Sequence, residues 1–415
     1  MTSKVLSFED ARQLVEEHAA KLPLPETEIL DLLAAGERVL AKPVVSDRDL
    51  PPFPRSTRDG YAVRSADLVR IPTSLEVISE IKAGERLENI PKEISTGQAA
   101  SIMTGAPVPA GADAVVMVEY TSFAGTRVEI TRSVAPGENV VPSGAEAKQA
   151  SVLVDRGRRM DPAAIALAAS AGEGRLEVYR RPRVAVLTTG DEITSVDAIP
   201  GPTQIRNSNS YSLAMQIRKA GGEPVLLPIA PDEPSKLRSL IEEGLKSDLL
   251  LMTGGVSMGR YDLVEEVLEE LQSEFFFTGA KIQPGRPVVF GRCGLAARAG
   301  APTGTYFFGL PGNPVSTMVT FELFARPILE ALAGSSPEKM RFTYARLNSD
   351  IRVRPGLKRF LPAILSGVFE DSKVELVPWQ GSGDMAATAR ANCYIVTPSE
   401  RELLPAGELV PILMR

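Results

Sequence analysis

Three glycine-containing loops in the second half of the chain carry small polar and acidic side chains. They are TTGDE (188–192), TGGVSMGRYD (253–262) and GLPGNPVS (309–316). Glycines let backbone amides approach a ligand, and the N-terminus of a following helix favours an anion. TGGVSMG lacks both the GxGxxG pattern of a dinucleotide site and the lysine of a P-loop. The three loops together therefore predict an anion-binding site of another kind.

Four carboxylates in or beside these loops could take part in phosphate chemistry. Carboxylates that converge near phosphates usually hold Mg²⁺ together with substrate oxygens. Two structural alternatives remain open, because Asp232 can also cap the next helix and Asp262 can complement a helix dipole in the first turn. The four acids are Asp191, Glu192, Asp232 and Asp262.

Cations and one hydroxyl in three other segments could bind an oxyanion. Arg286 is held between prolines and a glycine in KIQPGRP, which also holds Lys281. Arg359 follows Lys358 in RPGLKRF, and Ser382 is flanked by glycines in QGSGD. Two arginine forks and a serine match the four oxygens of a tetrahedral dianion, so we predict one shared pocket. The alternative is that Arg359 and Lys358 are surface charges and Ser382 a turn residue.

Alternating strand and helix patterns surround the three loops. Such alternation predicts a doubly wound, mostly parallel sheet, and ligands bind beyond the carboxyl ends of its strands. The loops are therefore expected at one edge of this sheet. The predicted strands are 183–190, 223–230, 248–255 and, as a strand with its turn, 305–314, and the predicted helices are 208–222, 232–246, 261–272 and 315–332.

The segments before and after this α/β region show other patterns of apolar and polar residues. Residues 5–20 and a stretch within 26–42 predict helices, and Asp161 and Pro162 begin another at 160–172. Short alternating runs separated by Gly- and Pro-rich turns predict a β-rich module at about 45–147. Similar short runs after residue 340 predict a small β-barrel or sandwich.

Composition excludes several classes of protein. The 415 residues suggest two to four domains, and a formal net charge of −6 argues against a general nucleic-acid binder. No apolar run is long enough for a membrane span. Two cysteines without a CxxC pair favour the cytoplasm. The single histidine, His18, is expected to be a solvated helix residue, which argues against a Ser/His/Asp triad and a His/Cys zinc site.

Seven motifs in the same order resemble the MoeA/gephyrin E-domain family, and the correspondence covers essentially the whole chain. The combination of TGDE, GGVSxGxxD and GLPGNPVS is highly specific. The motifs are DGYAVRSAD, IMTGAPVPAGADAVV, RPRVAVLTTGDE, GGVSMGRYD, PGRPVVFG, GLPGNPVSTMVTF and QGSGD.

The resemblance implies four domains in a homodimer, whose active cleft is completed by Asp59 and Thr104 of the partner subunit. The implied domains are an α/β molybdopterin-binding domain (1–22 and 180–332), a linking domain (23–44 and 148–179), an inserted β-rich domain (45–147) and a C-terminal β-barrel (333–415).

The implied reaction inserts molybdate into adenylylated molybdopterin and releases AMP, with Mg²⁺ as cofactor. Asp59 and Thr104 join Glu192, Asp232 and Asp262 as implied catalytic residues, and the last three also as metal ligands. The implied substrate-binding residues are Asp191, Gly254, Gly255, Ser257, Arg286, Pro287, Pro311, Gly312, Asn313, Ser316, Arg359 and Ser382.

The chain departs from the family pattern at three positions. The family favours lysine where Arg286 stands, often has another lysine at Gln283, and has an aspartate where Glu146 stands. Two other functions remain open: a molybdopterin-binding scaffold without insertion activity, and an enzyme that inserts tungstate. Retention of Glu192, Asp262 and Arg359 favours the enzyme, because a scaffold needs no converging acids.

Overall fold

The computed structural model describes residues 4–254, 263–294, 304–335 and 339–415. Its central element is a six-stranded sheet in which the first four strands are parallel, the fifth is antiparallel to the fourth, and the sixth is antiparallel to the fifth. This confirms the predicted mostly parallel sheet. In spatial order the strands are Glu223–Leu226, Arg183–Thr188, Leu249–Thr253, Thr305–Leu310, Val289–Cys293 and Ser273–Phe277.

Helices cover both faces of this sheet. Successive side chains of a strand point to opposite faces, so Val184 and Val186 belong to one apolar cluster and Ala185 and Leu187 to another. The first face carries Phe8–Ala19, Asn209–Lys219, Pro314–Thr320, a π-helical turn at Phe321–Ala325, and Arg326–Leu332; the second carries Pro234–Gly244 and Leu263–Glu270.

The expected solvated position of His18 is wrong. Its ring centroid lies 4.0 Å from that of Phe276, and its Nδ1 lies 3.0 Å from the hydroxyl of Tyr306. Helical spacing explains this, because His18 is adjacent to the buried stripe that includes Val15 and Ala19. Burial, followed by the nearby charge of Lys21, lowers the pKa of His18.

The predicted helix within residues 26–42 is also wrong. Thr27–Asp31 is a strand, and it pairs antiparallel with Arg175–Tyr179 through five residue pairs. The residues of this segment favour a helix locally, but that preference is weak, and pairing with a strand far away in the sequence outweighs it. The helix Pro162–Ser170 forms as predicted, because the Asp161 side chain accepts from the backbone N–H of Ala164 at 2.8 Å.

A second six-stranded sheet lies within the segment predicted to be β-rich. It mixes parallel and antiparallel pairs and buries apolar residues on both faces. In spatial order its strands are Ala114–Met117, Gly60–Val63, Gln98–Ile102, Thr73–Ile81, Arg127–Ile130 and Thr121–Ala124.

The C-terminal strands close into a five-stranded barrel, since its first and last strands pair with each other. The strand Ile282–Gln283 adds to the barrel by pairing in parallel with residues 358–359. This pairing brings the KIQPGRP segment to the barrel. The barrel order is Lys358–Ser366, Lys373–Leu376, Thr343–Leu347, Leu409–Met414 and Cys393–Thr397.

Short two-stranded ladders and turns complete the described chain. The helix Met385–Arg390 lies between two barrel strands. No helix among the described residues is long and apolar enough to cross a membrane. The ladders pair Val5–Leu6 with Gly279–Ala280, Val44–Val45 with Val152–Val154, Arg55–Ser56 with Val140–Val141, Ile193–Thr194 with Ile205–Arg206, and Ile351–Arg352 with Leu403–Leu404. The 3₁₀ turns are Ser65–Leu68, Leu87–Asn89, Val118–Tyr120 and Phe369–Asp371.

Candidate functional site

A cavity of about 380 Å³ opens at the carboxyl ends of the parallel strands; we call it the loop cavity. It is lined by residues from all three glycine-containing loops, so the loops share one edge of the sheet as predicted. Strand polarity explains the arrangement, because parallel strands end together. The lining residues from the loops are Thr188, Thr189, Glu192, Thr253, Gly254, Pro311, Gly312, Asn313 and Pro314.

Glycine is required where two of these loops meet. Gly254 has a φ of +90°, and a Cβ at this position would lie 2.4 Å from the carbonyl oxygen of Thr189. A Cβ on Gly312 would in turn lie 3.5 Å from the Cα of Gly254. A larger residue at 254 would therefore push the loops apart and deform the cavity.

The floor of the loop cavity is a buried polar network that the sequence interpretation missed. The amide of Asn209 donates to Thr253 Oγ1 at 2.8 Å and to the carbonyl oxygen of Gly312 at 2.7 Å. Asn207 donates to Ser210 Oγ at 2.9 Å. The run RNSNSYS (206–212) was the available signal, since asparagines and serines at a helix start are too polar for a simple core-facing helix.

Two buried polar atoms at the loop cavity have no hydrogen-bond partner among the residues that the structure describes. They are Thr189 Oγ1 and Asn209 Oδ1. Buried polar groups are nearly always paired, and a group left unpaired is costly. Both residues line the loop cavity, so their free atoms suit a polar ligand that enters it.

The predicted acids are only partly brought together. Glu192 lines the loop cavity, and Asp191 Oδ1 accepts from the backbone N–H of Asp232 at 3.2 Å. The alternative of Asp232 as a helix cap is wrong, because the helix begins at Pro234 and Glu233 occupies the cap position. Asp262 lies outside the described residues, as do Gly255 and Ser257. Within the described chain, no three metal-ligating side chains cluster.

A second cavity of about 280 Å³, the Arg286 cavity, adjoins the first. Pro287 and Asn313 line both cavities, whereas Arg286, Ser316 and Ser382 line only the second. Three segments therefore line the Arg286 cavity: the segment that begins with the strand Ile282–Gln283, the loop 309–316 and the QGSGD turn.

Two backbone contacts fix the walls of the Arg286 cavity. The carbonyl oxygen of Ser382 accepts from the N–H of Val315 at 3.0 Å, which ties QGSGD to a helix of the α/β sheet. Gly285 has a φ of +103°, and a Cβ there would lie 2.3 Å from Thr320 Cγ2 of the same helix. Arg286 is thus carried on a segment that is packed directly onto this helix.

Arg359 lines a third cavity, of about 360 Å³, which we call the Arg359 cavity. We expected one pocket for Arg286, Arg359 and Ser382. Arg286 and Ser382 do line the same cavity, but Arg359 lines the neighbouring one. Strand pairing explains this, because residue 359 is paired with Gln283 and not with Arg286. Gln283 and Trp379 line both the Arg286 and the Arg359 cavities.

Neither basic residue of this strand is the surface charge that the alternative expected. Arg359 is only 7% exposed, and its Nε donates to Gln283 Oε1 at 2.8 Å. Burial, and then the nearby charge of Arg354, lowers the pKa of Arg359. Lys358 pairs with Glu9, and its ammonium lies 5.0 Å from the ring centroid of Phe8.

Asp59 and Thr104 form a pair on the second sheet. Asp59 Oδ1 accepts from the backbone N–H of Thr104 at 2.6 Å and from its hydroxyl at 2.9 Å. These hydrogen bonds, the backbone one first, lower the pKa of Asp59. Both residues are exposed, and neither lines the three cavities described above. Glu146 pairs with Arg55 at 2.7 Å.

Comparison with known families shows the class of protein that this fold and site define. Residues 185–331 match the model described as a probable molybdopterin binding domain. Residues 6–172 match the MoeA N-terminal region (domain I and II), and residues 344–414 match the MoeA C-terminal region (domain IV).

Relatives agree over nearly the full length. Proteins named molybdopterin molybdenumtransferase from Nostoc sp. and Bacillus subtilis are 35% and 32% identical to the chain, over 94% of it and 88% and 90% of their own lengths. The crystal structure of the molybdopterin biosynthesis moeA protein from Pyrococcus horikoshii OT3 superposes with a TM-score of 0.79 at 28% identity, covering 99% of this chain and 100% of that one. The chain belongs to the MoeA family of enzymes, which confirms the resemblance seen in the sequence.

Proposed function

We propose that this chain inserts molybdate into adenylylated molybdopterin and releases AMP. One observation carries the proposal. The loop cavity, with a carboxylate and unpaired polar atoms, adjoins the Arg286 cavity, with a cation and a hydroxyl, through the shared residues Pro287 and Asn313. The names of the relatives from Nostoc sp. and Bacillus subtilis point to the same chemistry.

The loop cavity is suited to hold the pterin. A pterin ring offers amide and amine groups, and Asn209 Oδ1 and Thr189 Oγ1 are free to bond with them. Asn209 is itself fixed by Thr253 and Gly312, so its free oxygen is already oriented before a ligand arrives. Such preorganisation lowers the entropy that binding must overcome.

The Arg286 cavity is suited to hold the oxyanion. The Arg286 guanidinium can donate to two oxygens of a tetrahedral dianion, and the backbone and side chain of Ser382 offer further donors. No nucleophile from the protein is required. The chain lowers the barrier by placing the molybdate beside the pterin and by favouring the charge that develops during transfer.

We also propose that Mg²⁺ assists the reaction. Glu192 and the neighbouring Asp191 and Asp232 offer carboxylate oxygens, which are the donors that Mg²⁺ prefers. Mg²⁺ usually takes one or two protein carboxylates together with phosphate oxygens and water, so the small donor set fits it. When bound, the ion would neutralise charge on the phosphates.

A homodimer with a shared cleft completes the proposal. Asp59 and Thr104 line neither the loop cavity nor the Arg286 cavity of their own chain. We therefore assign these two residues to the cleft of the partner subunit. We place the enzyme in the cytoplasm, where the buried free thiols of Cys293 and Cys393 would stay reduced.

The test is AMP release from adenylylated molybdopterin. We expect AMP release that requires both Mg²⁺ and molybdate, with formation of the molybdenum cofactor. A tungstate arm measures the preference between the two oxyanions. A protein that binds the pterin but releases no AMP in any arm would contradict the proposal and support the scaffold alternative.

A further inference from the structure

The C-terminal end of the helix Phe8–Ala19 places the only histidine of the chain among aromatic side chains. The ring centroid of His18 lies 4.0 Å from that of Phe276, with an angle of 33° between the two ring planes. Two further rings meet it edge-on, at centroid distances of 5.5 Å for Phe290 and 5.6 Å for Tyr306. Three strands of the central sheet therefore each place an aromatic ring against this imidazole, which the proposed insertion step does not use.

One polar contact of this imidazole depends on its protonation state. Nδ1 of His18 lies 3.0 Å from the hydroxyl oxygen of Tyr306, a residue that is only 5% exposed. In the neutral ring this nitrogen can accept the hydroxyl proton, whereas both nitrogens of a charged ring are donors. A proton on His18 therefore ends the donation by Tyr306, and the hydroxyl proton must find another acceptor in a largely buried position.

The surroundings of the imidazole favour its neutral form. Burial is the largest influence, and the positive charges of Lys21 on the helix side and Arg292 on the sheet side act in the same direction. Glu274 from the sheet and Glu17 from the helix act in the opposite direction, as does the dipole of the last helical turn. The remaining titratable group is Tyr306, whose pKa burial raises, so it stays uncharged. The net result is that the pKa of the imidazole lies below its ordinary value of 6.5.

The helix that carries His18 is joined directly to a strand that supports the Arg286 segment. The two-residue strand before the helix pairs in parallel with Gly279–Ala280. The carbonyl oxygen of Leu6 also accepts from the backbone N–H of Lys281 at 2.8 Å. Both contacts lie a few residues before Arg286 in the sequence. Because short helices open and close cooperatively, a change at the end of this helix also affects the strand at its beginning.

We propose that His18 is a pH-sensitive contact that holds the helix on the central sheet while the imidazole is neutral, loosens it when the imidazole takes up a proton, and passes this change to the segment that leads to Arg286. The neutral ring packs against three aromatic rings and keeps its hydrogen bond with Tyr306. A charged ring loses hydration in the same place and is repelled by Lys21 and Arg292. Because the unfolded chain binds the proton more readily, the stability that this contact contributes is present above pH 6.5 and is lost as the pH falls through the lower pKa of the folded state.

The first test is an NMR titration of the full chain made with isotope-labelled histidine, in which the single histidine gives the only imidazole signal. We expect a titration midpoint below 6.5 that rises in R292Q, which loses a nearby positive charge, and in Y306F, which loses the donor to the neutral ring. The matched control is R183Q, because Arg183 is an exposed arginine at the start of another strand of the same sheet. A midpoint at or above 6.5, or one that R292Q leaves unchanged, would overturn the proposal.

The second test compares amide hydrogen exchange at about pH 7.5 and about pH 5.5, with each rate divided by the intrinsic rate at that pH. In the wild type we expect acid to raise the exchange of residues 8–19 severalfold. H18F keeps an aromatic ring and H18Q keeps polar atoms, and neither titrates, so both should lack this increase. The helix Asn209–Lys219, which packs on the same face of the sheet and contains no histidine, is the internal control. An increase of the same size in wild type and variants, or none in the wild type, would overturn the proposal.

The same exchange measurement tests whether the change reaches the Arg286 segment. The amide of Lys281 reports on it directly, because that N–H donates to Leu6. We expect its protection to fall with that of the helix in the wild type at the lower pH, and to be retained in H18F and H18Q. Protection of Lys281 that stays constant while the helix opens would overturn the link to Arg286. These readouts do not use AMP release, so they are independent of the proposed function.

Discussion

Single side chains determine which of the two adjoining cavities suits the oxyanion and which suits the phosphate chemistry. Arg286 and Ser382 face one cavity, and Glu192 faces the adjoining one. The three residues come from segments almost 200 positions apart in the sequence, and each acts through the charge or hydrogen-bonding capacity of its own side chain. Substitutions at this scale therefore separate oxyanion binding from phosphate chemistry.

We expect Arg286→Gln and Ser382→Ala each to raise the half-saturating molybdate concentration about tenfold or more, because each removes a donor to the oxyanion. Pterin affinity is expected to change much less. The measurement is AMP release against molybdate concentration. Lys281→Gln is the matched control, since Lys281 lies in the same segment but does not line the cavity. Unchanged half-saturation in both variants would mean that the oxyanion binds elsewhere.

Glu192→Gln is expected to abolish AMP release, since it removes a carboxylate charge at the proposed Mg²⁺ site. Its effect on unfolding free energy should stay within about 1 kcal/mol, because Glu192 is exposed in a loop. Asp197→Asn is the control, as Asp197 is an exposed acid a few residues further along that does not line the cavity. The same loss is expected for Asp262→Ala. Near-normal turnover of both site variants with Mg²⁺ would refute the assignment.

Secondary-structure elements decide where these side chains meet. The parallel strands deliver the three loops to one edge, and the strand Ile282–Gln283 carries Arg286 from the α/β region to the barrel. The close approach of residues 189 and 254 depends on glycine at position 254. Backbone geometry at this scale therefore shapes the loop cavity.

Gly254→Ala is expected to weaken pterin binding strongly, because its Cβ would collide with the carbonyl oxygen of Thr189 and part the loops. Gly125→Ala is the matched control: Gly125 also has a positive φ, of +68°, but a Cβ there meets nothing within 4 Å. Both variants bear the conformational strain of about 1–2 kcal/mol, and only the first bears the collision. Equal pterin affinity in the two variants, measured by titration calorimetry, would argue against this account.

At the scale of the whole molecule, the proposed active site needs two chains. The hydrogen-bonded pair Asp59–Thr104 lies beside strands of the second sheet and lines neither the loop cavity nor the Arg286 cavity of its own chain. If the partner's pair completes each cleft, the residues of one site come from different subunits, and the two-fold symmetry of the dimer produces two equivalent sites.

Subunit complementation tests this arrangement. Asp59→Asn and Glu192→Gln are each expected to be inactive as homodimers. After the two are mixed and allowed to exchange subunits, activity should return, because a mixed dimer contains one cleft without any substitution. Sedimentation of the wild type at micromolar concentration should show a dimer. A fully active monomer, or a mixture that stays inactive although mixed dimers form, would count against a shared cleft.

Much of the local structure was determined by the sequence itself. The strands 183–188 and 249–253 are continuous apolar runs, as strands covered on both faces require, and Asp161 with Pro162 begins a helix as expected. Strand polarity alone then predicted that the three loops share an edge. The family was also evident, because its motifs are contiguous runs of residues whose order survives in the linear chain.

Tertiary structure alone decided the features that depend on distant partners. Thr27–Asp31 is a strand because it pairs with Arg175–Tyr179. His18 lies on a helix and packs against the aromatic ring of Phe276 from a strand of the central sheet. Likewise, the register that pairs residue 359 with Gln283 moved Arg359 into a cavity of its own. The physical reason is the same in each case: local residue types set which conformations are favourable, but contacts between segments far apart in the chain choose among them, and a register shift of a few residues changes which side chains share a cavity.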